Sequence, residues 1–115
     1  MSDLHKLKLK ILKFRDDRNW KQFHNAKDVA LSLSLEAAEL LEHFQWISEK
    51  DLPRHIAKNK QSIEDELADI FYWVLLLSHD LGIDIEDALQ KKIRKNEIKY
   101  PVSKSKGRAT KYDKL

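Results

Sequence analysis

Hydrophobic positions near the start of the chain fall at Leu4, Leu7, Ile11 and Phe14. Arg18 continues that face and lysines occupy the other. This spacing of three to four predicts an amphipathic helix over residues 3–18. Asn19–His24 (N-W-K-Q-F-H) breaks the pattern and reads as a connection. Asn25 then opens N-A-K-D, an N-cap with an acid at the third helical position. A second helix is expected from about Ala26 to Trp46. Val29, Leu33 and Leu40 share one stripe of it, and Leu31, Leu35, Ala38 and Leu41 lie outside that stripe. A helix apolar on nearly every side is buried on most sides, and in so short a chain that implies a second subunit.

Ser48–Asp51 (S-E-K-D) resembles a capping box, and Pro53 suits a first helical turn. A helix should begin between Leu52 and Lys60, continue through Asp80 and stop at Gly82. Asp84 with Asp87 caps a further helix over about Ile85–Lys99, which Pro101 ends. Residues 102–115 show no periodicity and are expected to be an extended tail. The expected fold is all-α: a bundle of four to five helices over residues 1–100, completed by dimerisation, followed by a basic tail over residues 101–115.

Two of these helices carry acids where apolar residues belong. Glu36 and Glu39 form one pair and Glu66 and Asp69 another, each spaced as neighbours on a helix face. At 100 degrees per residue, Val29, Leu33, Leu40 and Ile47 fall within roughly 60 degrees of Glu36. Ile63, Ile70, Trp73, Leu77 and Leu81 crowd around Glu66 in the same way. Four inward carboxylates are costly unless something neutralises them. A divalent cation would do so, and oxygen-only ligands suit a hard ion such as Mg²⁺, with Mn²⁺ as a substitute. The competing reading is a set of buried ion bridges to Lys or Arg. Di-iron carboxylate chemistry needs a Glu-x-x-His spacing, but His43 follows Glu39 by four.

Composition narrows the chemistry. The 115 residues suffice for one domain with a modest core. Two Gly and two Pro leave little for hairpins or Gly-rich phosphate loops, and no Cys means no disulfide or thiolate site. No Walker or dinucleotide fingerprint is present. The first ten residues are amphipathic without a signal-like apolar stretch, and no apolar run reaches membrane-spanning length, so a cytoplasmic protein is expected. Net charge is +3 but uneven. Residues 91–115 hold ten Lys/Arg against two acids, and residues 1–90 hold the other twelve against seventeen. The basic end is either a solvated tail with loose nucleic-acid affinity or a phosphate clamp for an acidic metal site.

Trp20 and His24 fall in the connection, where a purely structural Trp is less expected and a flat base could stack. Trp46 and Trp73 are core or interface residues by default. Lys92, Asn96 and Lys99 share a face of the last helix, exposed to solvent or aimed at phosphates.

Together these segments resemble the MazG-like all-α nucleoside triphosphate pyrophosphohydrolases, nearest the dCTP pyrophosphatase branch. The resemblance runs through Arg15–His24 (loosely R-D-x-x-W-x-Q-F-H), Glu36–Leu40 (E-A-A-E-L) and Phe44–Trp46 (F-Q-W). It continues through Asp65–Ile70 (D-E-L-A-D-I), Lys92–Pro101 (K-x-x-x-N-x-x-K-Y-P) and Lys111–Tyr112 (K-Y). It implies Mg²⁺ on Glu36, Glu39, Glu66 and Asp69, with Glu36 or Glu39 activating a water. It implies a base pocket of Trp20, His24 and Trp46, and Lys92 and Asn96 reaching the substrate from a partner subunit of a dimer or tetramer. Lys99 stands where the family usually has Arg before Tyr-Pro, and Trp73 where it often has Tyr. Both join the expected substrate contacts, with Tyr100 and Lys111.

The implied reaction is dNTP plus water to dNMP plus pyrophosphate, with dCTP or a modified dCTP as the expected substrate. One alternative is a hydrolase of the same scaffold for dUTP or a noncanonical nucleotide. The other is a noncatalytic helical interaction module whose basic tail binds nucleic acid. The acidic pairs in apolar stripes argue against the latter, and against a nucleic-acid partner.

Overall fold

A computed structural model describes residues Met1–Leu115. The chain is helical throughout and contains no strand. It forms two compact units, Met1–Gly82 and Ile83–Leu115.

In the first unit, α1 spans Asp3–Asp17 and is capped by Ser2, whose hydroxyl accepts from the His5 N–H at 3.1 Å. Asn19 adopts φ 54°, and a 3₁₀ turn over Lys21–Phe23 follows. α2 spans Ala26–Glu42. Its cap is reciprocal: Asn25 Oδ1 accepts from the Asp28 N–H at 2.9 Å, and Asn25 Nδ2 donates to the Asp28 carboxylate at 2.7 Å. The expected extension to Trp46 does not form. The Leu41 carbonyl accepts from both the Phe44 and Gln45 N–H groups, which tightens the last turn, and Trp46 sits at φ 70°. A left-handed residue is a common way to end a helix, though an unusual conformation for Trp.

After a 3₁₀ turn over Glu49–Asp51, α3 spans Leu52–Lys58 with Pro53 in its first turn. The Ser48 hydroxyl meets the Asp51 side chain rather than capping a backbone N–H. Asn59 separates α3 from α4, and its side-chain amide donates to the His55 carbonyl at 2.9 Å. α4 spans Lys60–Asp80 and stops at Gly82, which adopts φ 68° as a helix-terminating glycine does. α2 lies against α4, and α1 against α4.

In the second unit, α5 spans Ile85–Lys99, and Asp84 caps it by accepting from the Asp87 N–H at 3.1 Å. The tail is not extended throughout. α6 spans Val102–Ser105, and a 3₁₀ turn covers Tyr112–Lys114. Tyr112 explains the second turn: its ring meets Tyr100 edge-on at 6.0 Å and carries the Lys99 ammonium at 4.9 Å. A cation over an aromatic face is attracted by the ring quadrupole. No residue of 83–115 is fully buried.

Only Val29, Leu75 and Leu76 form a fully buried apolar core. Leu31, Leu35 and Leu41 of α2 are exposed, as are Leu67 and Phe71 of α4. The apolar pattern of α2 led to an expectation of burial on most sides, and the chain alone leaves Leu31, Leu35 and Leu41 uncovered. No helix is long and apolar enough to cross a membrane.

Candidate functional site

The packing of α2 on α4 decides which acids meet. Glu36, Glu39 and Glu66 each bring a carboxylate oxygen within 4.8 Å of the others. Glu36 and Glu66 are half-buried and Glu39 is exposed. Asp69 is exposed and stands outside this trio, but its charge acts on both Glu36 and Glu66. Burial is the main cause that pushes the Glu36 carboxyl up to about 7. Hydrogen bonding with Glu66 and Glu39 and the charges of Glu39 and Asp69 add to it. Glu66 is also raised, first by burial, while its hydrogen bond to Glu36 acts in the opposite direction.

One Oε2 of Glu36 and one of Glu66 are buried without any donor from the chain. No Lys or Arg forms an ion pair with Glu36, Glu39, Glu66 or Asp69. The buried ion-bridge reading therefore fails. Converging oxygens with unused lone pairs and no cationic side chain fit a hard divalent cation.

Glu36 and Asp69 also line a cavity of about 500 Å³. α1 contributes Leu7, Lys10, Ile11 and Phe14, the connection contributes Trp20, and α4 contributes Tyr72 and Trp73. The aromatic rings brace one another. Phe14 meets Trp20 at 5.7 Å and Tyr72 at 6.3 Å, and Tyr72 meets Trp73 at 5.1 Å, all edge-on. A mostly apolar cleft with a carboxylate edge is the usual form of a small-molecule site.

The other expected residues are distributed differently. His24 does not line the cavity; it packs edge-on against Trp73 at 5.6 Å, with a buried Nδ1 that has no partner. Burial and then the Arg15 charge hold its imidazole below the ordinary value, against the pull of Asp80. Trp46 is 91% exposed and far from core-like. Lys92, Asn96, Lys99, Tyr100 and Lys111 are exposed residues of the second unit.

Leu7, Lys10, Ile11, Phe14 and Tyr72 line the cavity without any motif in the sequence that marks them as pocket residues. The face Leu7–Ile11–Phe14 was visible as apolar, but a helical pattern does not distinguish a packed stripe from a pocket wall.

A family model for the MazG-like family matches residues 31–115, the stretch that holds all four acids. The chain belongs to the MazG-like family. It is similar to dCTP pyrophosphatase 1 of Mus musculus, 34% identical over 105 residues that cover 89% of this chain and 61% of that protein. The human dCTP pyrophosphatase 1 is 28% identical over 104 residues, with the same shares covered. The chain thus spans about 61% of the length of these curated relatives. A solved pyrophosphatase from Archaeoglobus fulgidus DSM 4304 superposes with a TM-score of 0.83 and 36% identity, covering 88% of this chain and 94% of that one.

Proposed function

We propose that this protein is a Mg²⁺-dependent nucleoside triphosphate pyrophosphohydrolase that converts dCTP, or a modified dCTP, to the monophosphate and pyrophosphate in the cytoplasm. One observation carries the reading: Glu36 belongs both to the three-carboxylate cluster and to the wall of an aromatic cavity. A cation site and a base-sized apolar cleft thereby share a residue. The names of the mouse and human relatives, and of the archaeal structure, support the same chemistry.

Glu36, Glu39 and Glu66 would hold the cation, with Asp69 beside them, and the ion supplies the positive charge that offsets the triphosphate and polarises the α-phosphorus. Water attacks that phosphorus, the bond to the bridging oxygen breaks, and pyrophosphate leaves. Glu39, the most open of the trio, takes the proton from the attacking water; Glu36 is the other candidate. Trp20, Tyr72 and Trp73 stack on the base, and His24 braces Trp73 from behind.

Residues 1–100 carry this chemistry, and residues 101–115 complete the substrate site or a subunit interface. Trp46, Lys92, Asn96, Lys99, Tyr100 and Lys111 serve the substrate of a neighbouring copy in a homodimer or tetramer. The exposed Trp46 and the exposed leucines of α2 support that assembly.

A panel of canonical and modified nucleoside triphosphates with Mg²⁺, read by product chromatography, tests the reading. The expected products are dCMP and pyrophosphate. Preference for dUTP or a noncanonical base would move the substrate within the same reaction. Release of inorganic phosphate and dCDP, or no turnover with any nucleotide, would overturn the reaction itself.

A further inference from the structure

Arg15 is 2% exposed, which makes it the most conspicuous charge in the first unit. It lies in the last turn of α1, and Asp80 is the final residue of α4. Its two terminal nitrogens donate to the two Asp80 carboxylate oxygens at 2.8 and 3.0 Å. The Nε is buried and has no partner, so the guanidinium is neutralised by Asp80 alone. A buried guanidinium is retained only with a partner of good geometry, and the parallel two-bond fork also fixes direction.

Both ends of this pair are continuous with the cavity walls. Phe14, adjacent to Arg15, lines the α1 side. The Arg15 carbonyl accepts from the Trp20 N–H at 3.1 Å, so the same residue fixes the cavity's Trp. On α4, Asp80 follows Trp73 by seven residues and therefore lies on the same helix face. His24, packed on Trp73, feels both charges.

We propose that Arg15 and Asp80 are a positioning pair for the base pocket, one rigid fork that fixes the α1 wall, with Phe14 and Trp20, against the α4 wall, with Tyr72 and Trp73. The inference rests on the reading of this cavity as the nucleotide site. Neither residue touches the base; both act through the aromatic walls. A change here alters the width of the cleft and leaves the carboxylate cluster in place.

The test uses the full chain labelled with 5-fluorotryptophan. Asp80→Asn keeps the shape and removes the charge, and Arg15→Lys keeps the charge and removes the fork. Arg15→Met with Asp80→Leu replaces the pair by apolar groups, a change that folds well in comparable sites. In each, the fluorine resonances of Trp20 and Trp73 should shift or broaden, while that of Trp46 stays. dCMP should bind about tenfold more weakly, with Mn²⁺ affinity within about twofold of wild type. KM should rise more than kcat falls.

A purely structural ion pair predicts a lower melting temperature with unchanged Trp20 and Trp73 resonances and unchanged dCMP affinity below it. That result, in any variant that folds, overturns the proposal. A wild type that hydrolyses no nucleoside triphosphate overturns the proposed function instead. The fluorine spectra need no substrate and still decide the pair.

Discussion

Glu36 of α2 and Glu66 of α4 bring carboxylate oxygens within 4.8 Å of each other, and each keeps a buried Oε2 that no donor of the chain reaches. Two half-buried carboxyls this close cannot both ionise cheaply, and both are raised above the ordinary value, first by burial.

A pH dependence follows from that pair. Glu36 is raised from 4.5 to about 7 in the folded chain, chiefly by burial. The folded state therefore binds protons that the unfolded state has released. Its contribution is fully present below the unfolded value and is lost as pH rises through about 7. In EDTA, the wild-type melting temperature should fall between about pH 5 and pH 8 relative to Glu36→Gln. With excess Mg²⁺ the trend should reverse, because metal and protons compete for the same oxygens. A difference curve that is flat in EDTA would show that the Glu36 carboxyl is not raised in the folded chain.

Glu66→Gln should separate stability from metal binding. Without metal it relieves repulsion among like charges, and the melting temperature should hold or rise. Wild type should gain about 2.7 kcal/mol at a hundredfold excess of Mg²⁺ over Kd, and the variant should lose most of that gain. Its hydrolysis should fall about a hundredfold, a loss of the size seen when charge stabilisation is removed. A variant that keeps the full Mg²⁺ response in a melting experiment would refute the metal site.

Trp20→Ala removes a cavity wall without touching a carboxylate. Base stacking lost this way costs about 1–3 kcal/mol, read as a higher KM for dCTP with Mn²⁺ affinity intact. His24→Ala should act in the same direction and more weakly, because His24 reaches the cavity only through Trp73. Unchanged dCMP binding by Trp20→Ala in calorimetry would place the base elsewhere.

An oligomer is expected because a single chain buries too little. Three fully buried apolar residues are a small core, and Leu35 is 66% exposed on α2. Light scattering of the wild type should give a multiple of 13.6 kDa. Leu35→Glu should push the mass toward the monomer, lower the melting temperature and reduce activity, because burying an unpaired charge is strongly unfavourable. A folded, fully active wild-type monomer would contradict this.

The sequence by itself determined the helices and the acids. The caps at Asn25 and Asp84, the stop at Gly82 and the inward placement of Glu36 and Glu66 are local or periodic properties. A helix repeats every 3.6 residues, so one strand of text reveals which side chains share a face. The same periodicity predicted an apolar α2 with more faces than one chain covers. The family segments marked membership of the MazG-like family.

Tertiary structure decided which of those faces meet. Glu39 joins Glu36 and Glu66 while Asp69 stands outside, because the crossing of α2 and α4 brings different turns together. Trp46 leaves the helix because the Leu41 carbonyl takes two donors, a choice among near-equal turn geometries that no periodicity encodes. Lys99 and Tyr112, thirteen residues after it along the chain, give the tail a turn that its composition concealed. Arg15 and Asp80 lie at opposite ends of the first unit's sequence. An ion pair of that kind depends on a distance in space, and sequence separation carries no information about it until the helices have packed.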